Sequence, residues 1–510
     1  MHKSILKILT PGLFIVFHLC AFSVIAKDTS IFTQHTISLP FSVNQSVLAA
    51  DILAEDGVEL IVVGIDAEQQ RTLAIYGFDE TLSEFVKRDQ IAIANNMFAF
   101  DVGEKKIDGL QSLYFLSKSE VQRYIPAHFS HEATLKTVEL VSSMYLSEIS
   151  DSFVHKDFVK DVNDDGLDDI VLPHFEQVNL WLSDCCGLRH PQSLSIPARL
   201  EVYESSVVYD DAKLYFQDMD QDGTTDIVKV EHGKLLVYSQ NENMQFSSQA
   251  TIIDISASIY AIAWWDIKDL NGQELDQSNL MHRRLTSIKD INGDKIPDIT
   301  VEFTKSSGVL DKTIDYEFYY GDVTQRKLSY STQANASVTS EDTLDGLQFL
   351  DLEEDGIQEV MVSSFDIGIS QIIGAILSGG IDQDVMIFSM DSENQFGKKP
   401  MIKKEVEITF SLSSGTSGQP LIKVADINGD KIKDLIFSDG ADKIKVTLAT
   451  PKGKRPYARK ALKQNVVLPK NASQIAEHDL NSDNKADLIL HYGRADGPEL
   501  LKQITVLLAN

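Results

Sequence analysis

Short apolar runs of strand length recur along most of this chain, and residues that favour turns separate them. Six runs begin directly after an acidic segment, at Ile170, Ile227, Ile299, Val360, Leu435 and Leu488. A short run of alternating polar and apolar positions precedes most of these segments, as in residues 421–424. Runs of this length, bounded by Asp, Asn and Gly, are typical of β-strands. Each succession of a strand, an acidic turn and a second strand therefore predicts a β-hairpin.

Two more strands can be read after most hairpins, for example at residues 72–76 and 85–93, or at 443–448 and 458–468. Four antiparallel strands in a unit that recurs along the chain predict a blade of a β-propeller. The sequence therefore predicts an all-β fold, an eight-bladed β-propeller of four-stranded antiparallel blades. The eight units start at Asp51, Asp101, Asp161, Asp218, Asp290, Asp351, Asp426 and Asp479.

The two ends of the array predict how the ring closes. The last unit has only three strands, the final one at residues 504–508, whereas a spare strand at residues 32–41 precedes the first hairpin. We expect the spare strand to complete the last blade, which removes open sheet edges. The first two units are degenerate, because the unit at Asp51 keeps three acids and the unit at Asp101, with Asp108 in its turn, keeps only a hairpin outline. Seven blades, with the second unit absorbed elsewhere, is the alternative.

The acidic turns carry oxygen side chains at positions 1, 3, 5 and 9 of the segment. Ca²⁺ prefers six to eight oxygen ligands and tolerates irregular geometry, whereas four acids packed together without a cation would repel one another. A plain Asp/Asn/Gly turn is the alternative for any single copy, but six copies in register favour about six Ca²⁺ sites. The predicted ligands are Asp161, Asn163, Asp165 and Asp169; Asp218, Asp220, Asp222 and Asp226; Asp290, Asn292, Asp294 and Asp298; Asp351, Glu353, Asp355 and Glu359; Asp426, Asn428, Asp430 and Asp434; and Asp479, Asn481, Asp483 and Asp487.

These segments resemble the FG-GAP/VCBS repeats of integrin α-subunit propellers and of many secreted bacterial proteins. The resemblance covers most of residues 45–492 and is carried by the six acidic loops, whereas the Phe-Gly and Gly-Ala-Pro signatures of the repeat are weak. It implies a propeller with calcium in the loop between the first and second strands of a blade. It implies no single function, because the fold carries adhesion, lectin-like binding and some polysaccharide-cleaving enzymes.

The N-terminus has the pattern of a secretory signal peptide. Met1 to Lys7 is positively charged, an apolar stretch runs from Ile8 to Ile25, and small residues near Ala26 provide a cleavage site. We therefore expect residues 1–26 to be a signal peptide and residues 27–510 to form one propeller domain that is secreted or periplasmic. A retained N-terminal membrane helix is the alternative. We expect no membrane span after cleavage.

The formal net charge of −30 disfavours nucleic acid as a partner, because nucleic-acid binding is driven by Lys and Arg neutralising phosphates. It equally disfavours bare anionic membranes. One basic stretch, residues 452–460, is read as a solvated hairpin, with an anionic partner as the alternative. The neighbouring Cys185 and Cys186 could form a vicinal disulfide in an oxidising compartment, or stay a free thiol pair.

Sequence motifs of common enzyme classes are missing from the chain, including Gly-x-Ser-x-Gly, His-Glu-x-x-His and phosphate-binding glycine loops. We predict no catalytic residues. A binding or adhesion module for a glycan or an envelope protein is therefore the favoured function. A polysaccharide lyase or glycoside hydrolase on the same scaffold is the alternative, and a structural subunit of an envelope complex is a third possibility.

Two insertions predict where a partner would bind. In a four-stranded antiparallel blade, the loops after strands one and three emerge on one face, which carries the acidic turns. The insertions at residues 261–280 and 365–380 belong to the opposite face of neighbouring blades. Exposed loops with aromatic residues on a rigid scaffold commonly form binding sites. Trp264, Trp265 and Phe365 are therefore candidate partner-binding residues. Packing of these residues on one another, or plugging of the channel, is the alternative.

Overall fold

The computed structural model describes residues 30–54, 57–104, 109–127, 133–145, 153–184, 189–202, 207–267, 275–308, 311–365, 380–411, 416–417, 421–450 and 456–510. It is an all-β protein whose small antiparallel sheets form the blades of an eight-bladed β-propeller. The prediction of eight blades is confirmed, and the seven-bladed alternative is wrong.

The first half of the chain forms blades 1 to 4. Strand β1 spans Phe32–Ser38 and belongs to blade 8. Blade 1 consists of β2 (Ser42–Val43), β3 (Leu48–Ala50), β4 (Glu59–Ile65), β5 (Arg71–Asp79) and β6 (Glu84–Ala92). Blade 2 consists of β7 (Met97–Val102), β8 (Leu113–Ser117), β9 (Glu120–Ile125), β10 (Thr134–Leu140) and the added β11 (Val154–His155). Blade 3 consists of β12 (Val159–Lys160), β13 (Asp169–Pro173), β14 (Val178–Ser183) and β15 (Arg189–Leu194), and the hairpin β16 (Arg199–Val202) and β17 (Val207–Asp210) follows. Blade 4 consists of β18 (Leu214–Gln217), β19 (Asp226–Glu231), β20 (Lys234–Tyr238) and β21 (Thr251–Asp254).

The second half forms blades 5 to 8. Blade 5 consists of β22 (Ile259–Tyr260), β23 (Leu280–Lys289), β24 (Asp298–Gly308), β25 (Asp311–Tyr319) and β28 (Ala336–Val338), with the hairpin β26 (Gly321–Thr324) and β27 (Lys327–Tyr330) inserted before β28. Blade 6 consists of β29 (Thr343–Leu350), β30 (Glu359–Phe365), β31 (Gly380–Phe388), β32 (Ile402–Ser411) and β33 (Thr416–Ser417). Blade 7 consists of β34 (Ile422–Ala425), β35 (Asp434–Ser438), β36 (Lys443–Thr447) and β37 (Leu462–Asn465). Blade 8 consists of β38 (Ile475–His478), β39 (Asp487–His491), β40 (Gln503–Ala509) and β1.

The helical elements are short 3₁₀ turns in the connections between strands. Within the described residues they are Trp264–Asp266, Gln277–Asn279, Ala472–Gln474, Arg494–Asp496 and Leu500–Lys502. None of the helices in this part of the chain is long and apolar enough to cross a membrane.

The N-terminal strand closes the ring, as the sequence predicts. β1 pairs antiparallel with β40 along its whole length, from Phe32 opposite Ala509 to Ser38 opposite Gln503. Blade 8 therefore combines one strand from the start of the chain with three from its end. β1 covers the edge of β40, which would otherwise be open to pairing with a strand of another chain.

The hydrophobic core is divided into layers between neighbouring blades. The alternation of side chains along a strand sends successive residues to opposite faces of the sheet. In β39, Leu488 and Leu490 pack into the cluster shared with blade 7, whereas Ile489 packs into the cluster shared with blade 1. Every blade in this arrangement is covered by its neighbours on both faces, which explains the nearly continuous apolar runs after the acidic turns.

The second blade is complete although its sequence unit is degenerate. Strands β7 to β10 form a four-stranded antiparallel sheet, and β11 adds to β7 in parallel. Asp101 lies within β7 rather than at the start of a turn, so the unit boundary predicted there is displaced. Its buried carboxylate accepts hydrogen bonds from the backbone N–H groups of Phe158 and Val159 at 2.7 and 2.8 Å. Asp101 therefore joins blade 2 to blade 3.

Candidate calcium sites and the opposite face

The six acidic turns share one backbone conformation. Each connects two antiparallel strands of its blade, β23 and β24 in blade 5 and the first two strands in blades 3, 4, 6, 7 and 8. Positions 4 and 6 of every turn lie in the left-handed region, with φ between 55° and 94°. Glycine occupies position 6 in three turns and position 4 in two others, because it enters this region at little cost. The two sets are Asp164, Gln221, Gly293, Glu354, Gly429 and Ser482 at position 4, and Gly166, Gly223, Lys295, Gly356, Lys431 and Asn484 at position 6.

Backbone hydrogen bonds hold the acids of positions 1 and 5 inside the turn. In blade 4, the carboxylate of Asp218 accepts from the N–H of Asp222 at 3.1 Å and from that of Gly223 at 2.9 Å. Asp222 accepts in turn from the N–H of Thr224 at 2.9 Å. Equivalent bonds recur in the other five turns, for example to Asp351 and Asp479. The side chains at these positions are thereby fixed without using all of their lone pairs.

The blade 4 turn gathers its acids most clearly. One carboxylate oxygen from each of Asp218, Asp220 and Asp222 lies within 4.8 Å of the others. Four of the remaining turns place an Asn at position 3, whose side-chain oxygen can also ligate a cation. In those turns the position 3 amide oxygen accepts from the N–H of position 5, as between Asn428 and Asp430 at 2.9 Å. All six turns therefore present an oxygen-only donor set.

The acid at position 9 is the most buried member of each set. Asp169, Asp226, Asp298, Asp434 and Asp487 are fully buried, and Glu359 is nearly so. One oxygen of each accepts from the N–H of position 2, as between Asp298 and Ile291 at 3.0 Å. In the five Asp cases the other oxygen accepts from a backbone N–H at the end of the third strand, as from Gly321 at 2.9 Å. Position 9 therefore fastens the acidic turn to its own blade.

Burial makes ionisation of the position 9 acids unfavourable. It raises the pKa of Asp298 to about 7 and that of Asp434 to about 6, even though backbone hydrogen bonds oppose the shift. The neighbouring acids at positions 1 and 5 raise both pKa values further. A divalent cation among these oxygens would remove the repulsion and favour the charged forms. The donor set, all oxygen and mostly anionic, fits a hard cation of the Ca²⁺ type.

Lysine competes for the acids in one of the turns. In blade 8, Lys485 Nζ lies 3.3 Å from Asp483 Oδ2, and both side chains are partly exposed. An ion pair so accessible to water is weak, so it does not replace a divalent cation. It nevertheless adds positive charge beside this turn. We expect the affinity of the blade 8 site to be lower than that of the blade 4 site.

The degenerate first turn keeps one part of the arrangement. Glu59, at its position 9, is buried, and its Oε2 accepts from the N–H groups of Ile52 and Leu53 at 2.8 and 3.1 Å. Residues 55–56 of this turn lie outside the described residues, as do residues 105–108 with the Asp108 of the second unit. The structural role of position 9 therefore persists in a turn whose sequence lacks the full oxygen set.

Neighbouring turns are hydrogen-bonded to one another around the ring. The N–H at position 8 of one turn donates to a carbonyl at position 1 or 2 of the preceding turn. The bonds are Gln358 to Ile291 at 2.9 Å, Ala486 to Asp426 at 2.7 Å, and Val58 to Leu480 at 3.2 Å. In blade 5 position 8 is Pro297, which has no N–H to donate. The acidic face is thus a partly continuous belt that includes the seam of the ring.

The two tryptophans of the blade 4–5 connection have different environments. Trp264 is 8% exposed, whereas Trp265 is 46% exposed, and their rings meet edge-on with centroids 5.3 Å apart. Lys312 Nζ lies 4.1 Å from the centroid of the Trp264 ring. The sequence left open whether the pair is exposed or packed, and the structure places one of the two side chains in solvent and the other in the interior. Trp264 is a packing residue, and Trp265 is available to a partner.

A cleft of about 560 Å³ lies beside Trp265 on the face opposite the acidic turns. Residues before β18, at the end of β19 and before β23 form its walls, together with Arg199 from the β16–β17 hairpin. Arg199 pairs with Asp266 at 3.2 Å and so connects this hairpin to the 3₁₀ turn that carries Trp265. We call this space the blade 4–5 cleft. Its location agrees with the predicted partner face, although neither the hairpin nor the cleft was foreseen, because no motif marks them.

A second cleft, of about 650 Å³, lies at the seam between blades 8 and 1. Its lining is mostly uncharged and polar, with Asn44, Gln45, Asn471 and Gln474 among its members. His491 also lines it and is buried, which lowers the pKa of its imidazole to about 4. This histidine is therefore neutral near pH 7.

Several residues singled out in the sequence lie outside the described residues. They are Cys185 and Cys186, the first part of the basic stretch at residues 452–455, the signal-like N-terminus, and the insertion at residues 366–379. Phe365 ends strand β30, and its side chain also lies outside the described part. Predictions about these residues stay predictions.

No protein-family model matches the chain, and no curated protein matches it. Among solved structures it is similar to an Agrocybe aegerita lectin that recognises non-reducing terminal N-acetylglucosamine, with 12% identity, a TM-score of 0.40, and coverage of 85% of this chain and 94% of that chain. It is also similar to the V. cholerae biofilm matrix protein Bap1, with 10% identity, a TM-score of 0.37, and coverage of 92% and 88%. Similarities this low carry no argument about function, so the proposals below rest on this chain's own residues.

Proposed function

We propose that the protein is an exported, calcium-stabilised β-propeller of the FG-GAP/VCBS type that acts as a glycan-binding module. The export proposal rests on the signal-like pattern of residues 1–26. Weak oxygen sites of this kind fill at extracellular calcium concentrations, which agrees with an exported location.

The main support for this proposal is that the acidic turns and the blade 4–5 cleft lie on opposite faces of the propeller. One face repeats the same acidic turn six times, with buried acids at position 9 fastened to the blade. The opposite face carries the blade 4–5 cleft and the exposed ring of Trp265. Calcium on the first face would stiffen the scaffold, and the second face would contact the ligand. Rigid scaffolds with a few exposed aromatic side chains are typical of recognition surfaces.

A glycan is favoured over a protein as the ligand because of the cleft's size and lining. A cleft of about 560 Å³ is within the usual range for small-molecule and saccharide-sized ligands. Its lining mixes hydrogen-bonding side chains with Tyr260, and the centroid of the exposed Trp265 ring lies 5.5 Å from Cζ of the lining residue Arg284. The apolar C–H face of a sugar ring stacks on such aromatic rings, while its hydroxyls bond to the polar groups.

The metal half of the proposal is tested by titrating decalcified protein with Ca²⁺ in a calorimeter. We expect a stoichiometry near six. A count of two or fewer would mean that most turns are not calcium sites.

The binding half is tested by screening the calcium-loaded protein on immobilised glycans and on envelope proteins, with and without EGTA. Saturable glycan binding without product release supports the proposal, and binding confined to envelope proteins overturns the choice of ligand. Release of saccharide fragments would instead favour a lyase or hydrolase.

A further inference from the structure

The blade 4–5 cleft has an excess of positive charge in a strongly acidic chain. Four cationic side chains line it, against three carboxylates, whereas the chain carries a formal net charge of −30. The cations are Arg199, Lys213, Lys229 and Arg284, and the acids are Asp211, Glu231 and Asp266. A site that collects cations against the sign of the whole molecule points to an anionic ligand group.

The lining acids are already neutralised by neighbouring cations. Two ion pairs form within the lining, and a third uses Lys156 from outside it. The pairs are Arg199–Asp266 at 3.2 Å, Lys229–Glu231 at 3.1 Å and Lys156–Asp211 at 2.9 Å. Lys213 is therefore the lining cation for which the described residues supply no carboxylate, whereas Arg284 pairs through its Nη2 with Glu302 outside the lining.

Lys213 has no carboxylate partner among the described residues. Its Nζ donates to the carbonyl oxygen of Thr286 at 2.8 Å, which places the ammonium group between blade 4 and blade 5. Two of the three donors of an ammonium group are left for other acceptors. Lys213 and Arg284 line the same cleft, and burial, together with the positive charge of Arg284, lowers the pKa of Lys213.

Arg284 is held in place but not satisfied. Its Nη2 pairs with the buried carboxylate of Glu302 at 2.7 Å, while its Nε is buried without a hydrogen-bond partner in the described structure. The Arg284 side chain as a whole is 29% exposed and lines the cleft, so a ligand oxygen can approach the part of the guanidinium that faces the cleft. Its Cζ also lies 5.5 Å from the ring centroid of Trp265, so the charge and the exposed ring adjoin.

Aromatic rings complete the cleft. Tyr260 lines it and stacks on His232 with ring centroids 4.1 Å apart, and this contact fixes the tyrosine ring. The Tyr260 ring also contacts the His282 ring, with centroids 4.8 Å apart, so the flat ring that is open to a ligand is that of Trp265, next to Arg284. A flat ring beside two cationic side chains matches a sugar ring that carries a carboxylate.

We infer that the blade 4–5 cleft binds the carboxylate of a uronic acid residue in an acidic glycan, an inference that rests on the proposed glycan-binding function. Lys213 and Arg284 bind the carboxylate, and Trp265 contacts the ring. The inference extends that function by naming the ligand class and the residues that select it.

The test uses the full mature chain with calcium and three tetrasaccharides that contain glucuronate, galacturonate or mannuronate. Each is compared with its methyl ester, which keeps the ring and hydroxyls and removes the charge. Lys213→Met is compared with Lys403→Met, because Lys403 is an exposed lysine of blade 6 paired with Asp384. Affinities are measured by calorimetry, and thermal melting checks that both variants are folded.

We expect at least one acidic tetrasaccharide to bind roughly 10-fold or more tightly than its ester, a difference of about 1.4 kcal/mol. Lys213→Met should remove that preference and leave the weaker ester affinity unchanged, whereas Lys403→Met should change neither. Equal affinity for acid and ester, or an unchanged preference in Lys213→Met, overturns the inference while leaving glycan binding intact. If neutral and acidic glycans all fail to bind, both the inference and the proposed function fall.

Discussion

The backbone N–H of Val58 donates a hydrogen bond of 3.2 Å to the carbonyl oxygen of Leu480. Val58 belongs to the degenerate first turn, and Leu480 is position 2 of the complete turn in blade 8. The bond therefore joins a turn without a full ligand set to one with such a set, directly across the seam where the ring closes.

Replacing Gly57 with Ala should destabilise the seam. Gly57 has φ of 103°, and an added Cβ would lie 3.2 Å from the Leu480 carbonyl oxygen. Gly497 is a matched control, since its φ is 105° but nothing lies within 4 Å of an added Cβ. Each change should cost about 1–2 kcal/mol for the left-handed backbone, and Gly57→Ala should cost more. Denaturant unfolding measures both, and equal losses would mean that the seam contact does not matter.

Removal of a calcium ligand should lower stability more when calcium is present than in EGTA. For Asp222→Ala and Asp430→Ala we expect a loss of about 2–3 kcal/mol at calcium concentrations near 100 times the Kd, because the bound cation stabilises the folded state by mass action. The thermal melting temperature, recorded with calcium and with EGTA, measures this.

Asp391 is the matched control for these two variants. It accepts from the N–H groups of Glu393 and Gln395 at 2.9 Å each, so it forms a turn without belonging to an acidic set. Asp391→Ala should lose the same stability in calcium and in EGTA. A calcium-independent loss at Asp222 and Asp430 as well would show that the acids only shape turns.

The two tryptophans should separate folding from binding. Trp264→Ala should cost about 3–5 kcal/mol, because it empties a buried site, whereas Trp265→Ala should leave melting nearly unchanged and weaken glycan binding. Melting curves and calorimetric affinities of the two single variants test this. A large drop in melting for Trp265→Ala would exclude this ring as a ligand contact.

Acid should destabilise the seam through His491. Burial lowers the pKa of His491 from its usual 6.5 to about 4, so the unfolded chain takes up the proton more readily than the folded one. The stability that the neutral imidazole provides is complete above about pH 6.5 and is lost as the pH falls toward 4. Between pH 7.5 and 4.5 this amounts to about 2–3 kcal/mol.

The His491→Phe variant isolates this contribution, because the carboxylates titrate alike in both proteins. Unfolding by urea at the two pH values should show a smaller acid loss for the variant than for the wild type. Identical acid losses would mean that His491 is not the titrating group.

The sequence predicted the blades because each strand obeys the simple alternation seen in Leu488, Ile489 and Leu490. It also predicted ring closure, because a spare strand at the start of the chain can complete the last blade, which lacks one strand. The prediction that Asp101 starts a turn was wrong. An aspartate that joins two blades and an aspartate in a turn cannot be distinguished by residue type or by the neighbouring sequence. Burial alone tells them apart.

The candidate site was predicted in part. The acidic turns could be read from spacing, because their ligands lie within nine residues of one another. The blade 4–5 cleft could not, since Lys213 and Arg284 are 71 positions apart in the printed sequence and line the same cleft only when two blades pack. The different exposure of Trp264 and Trp265 likewise depends on a 3₁₀ turn, which no sequence pattern predicted.

The pairing of β1 with β40 sets the timing of maturation. Blade 8 joins residues that are separated by nearly the whole chain, so it cannot form until the last strand has been synthesised. Until then the edge of β1 that pairs with β40 is open to mispairing. A chain that stops before β40 would therefore leave the ring open and prone to aggregation.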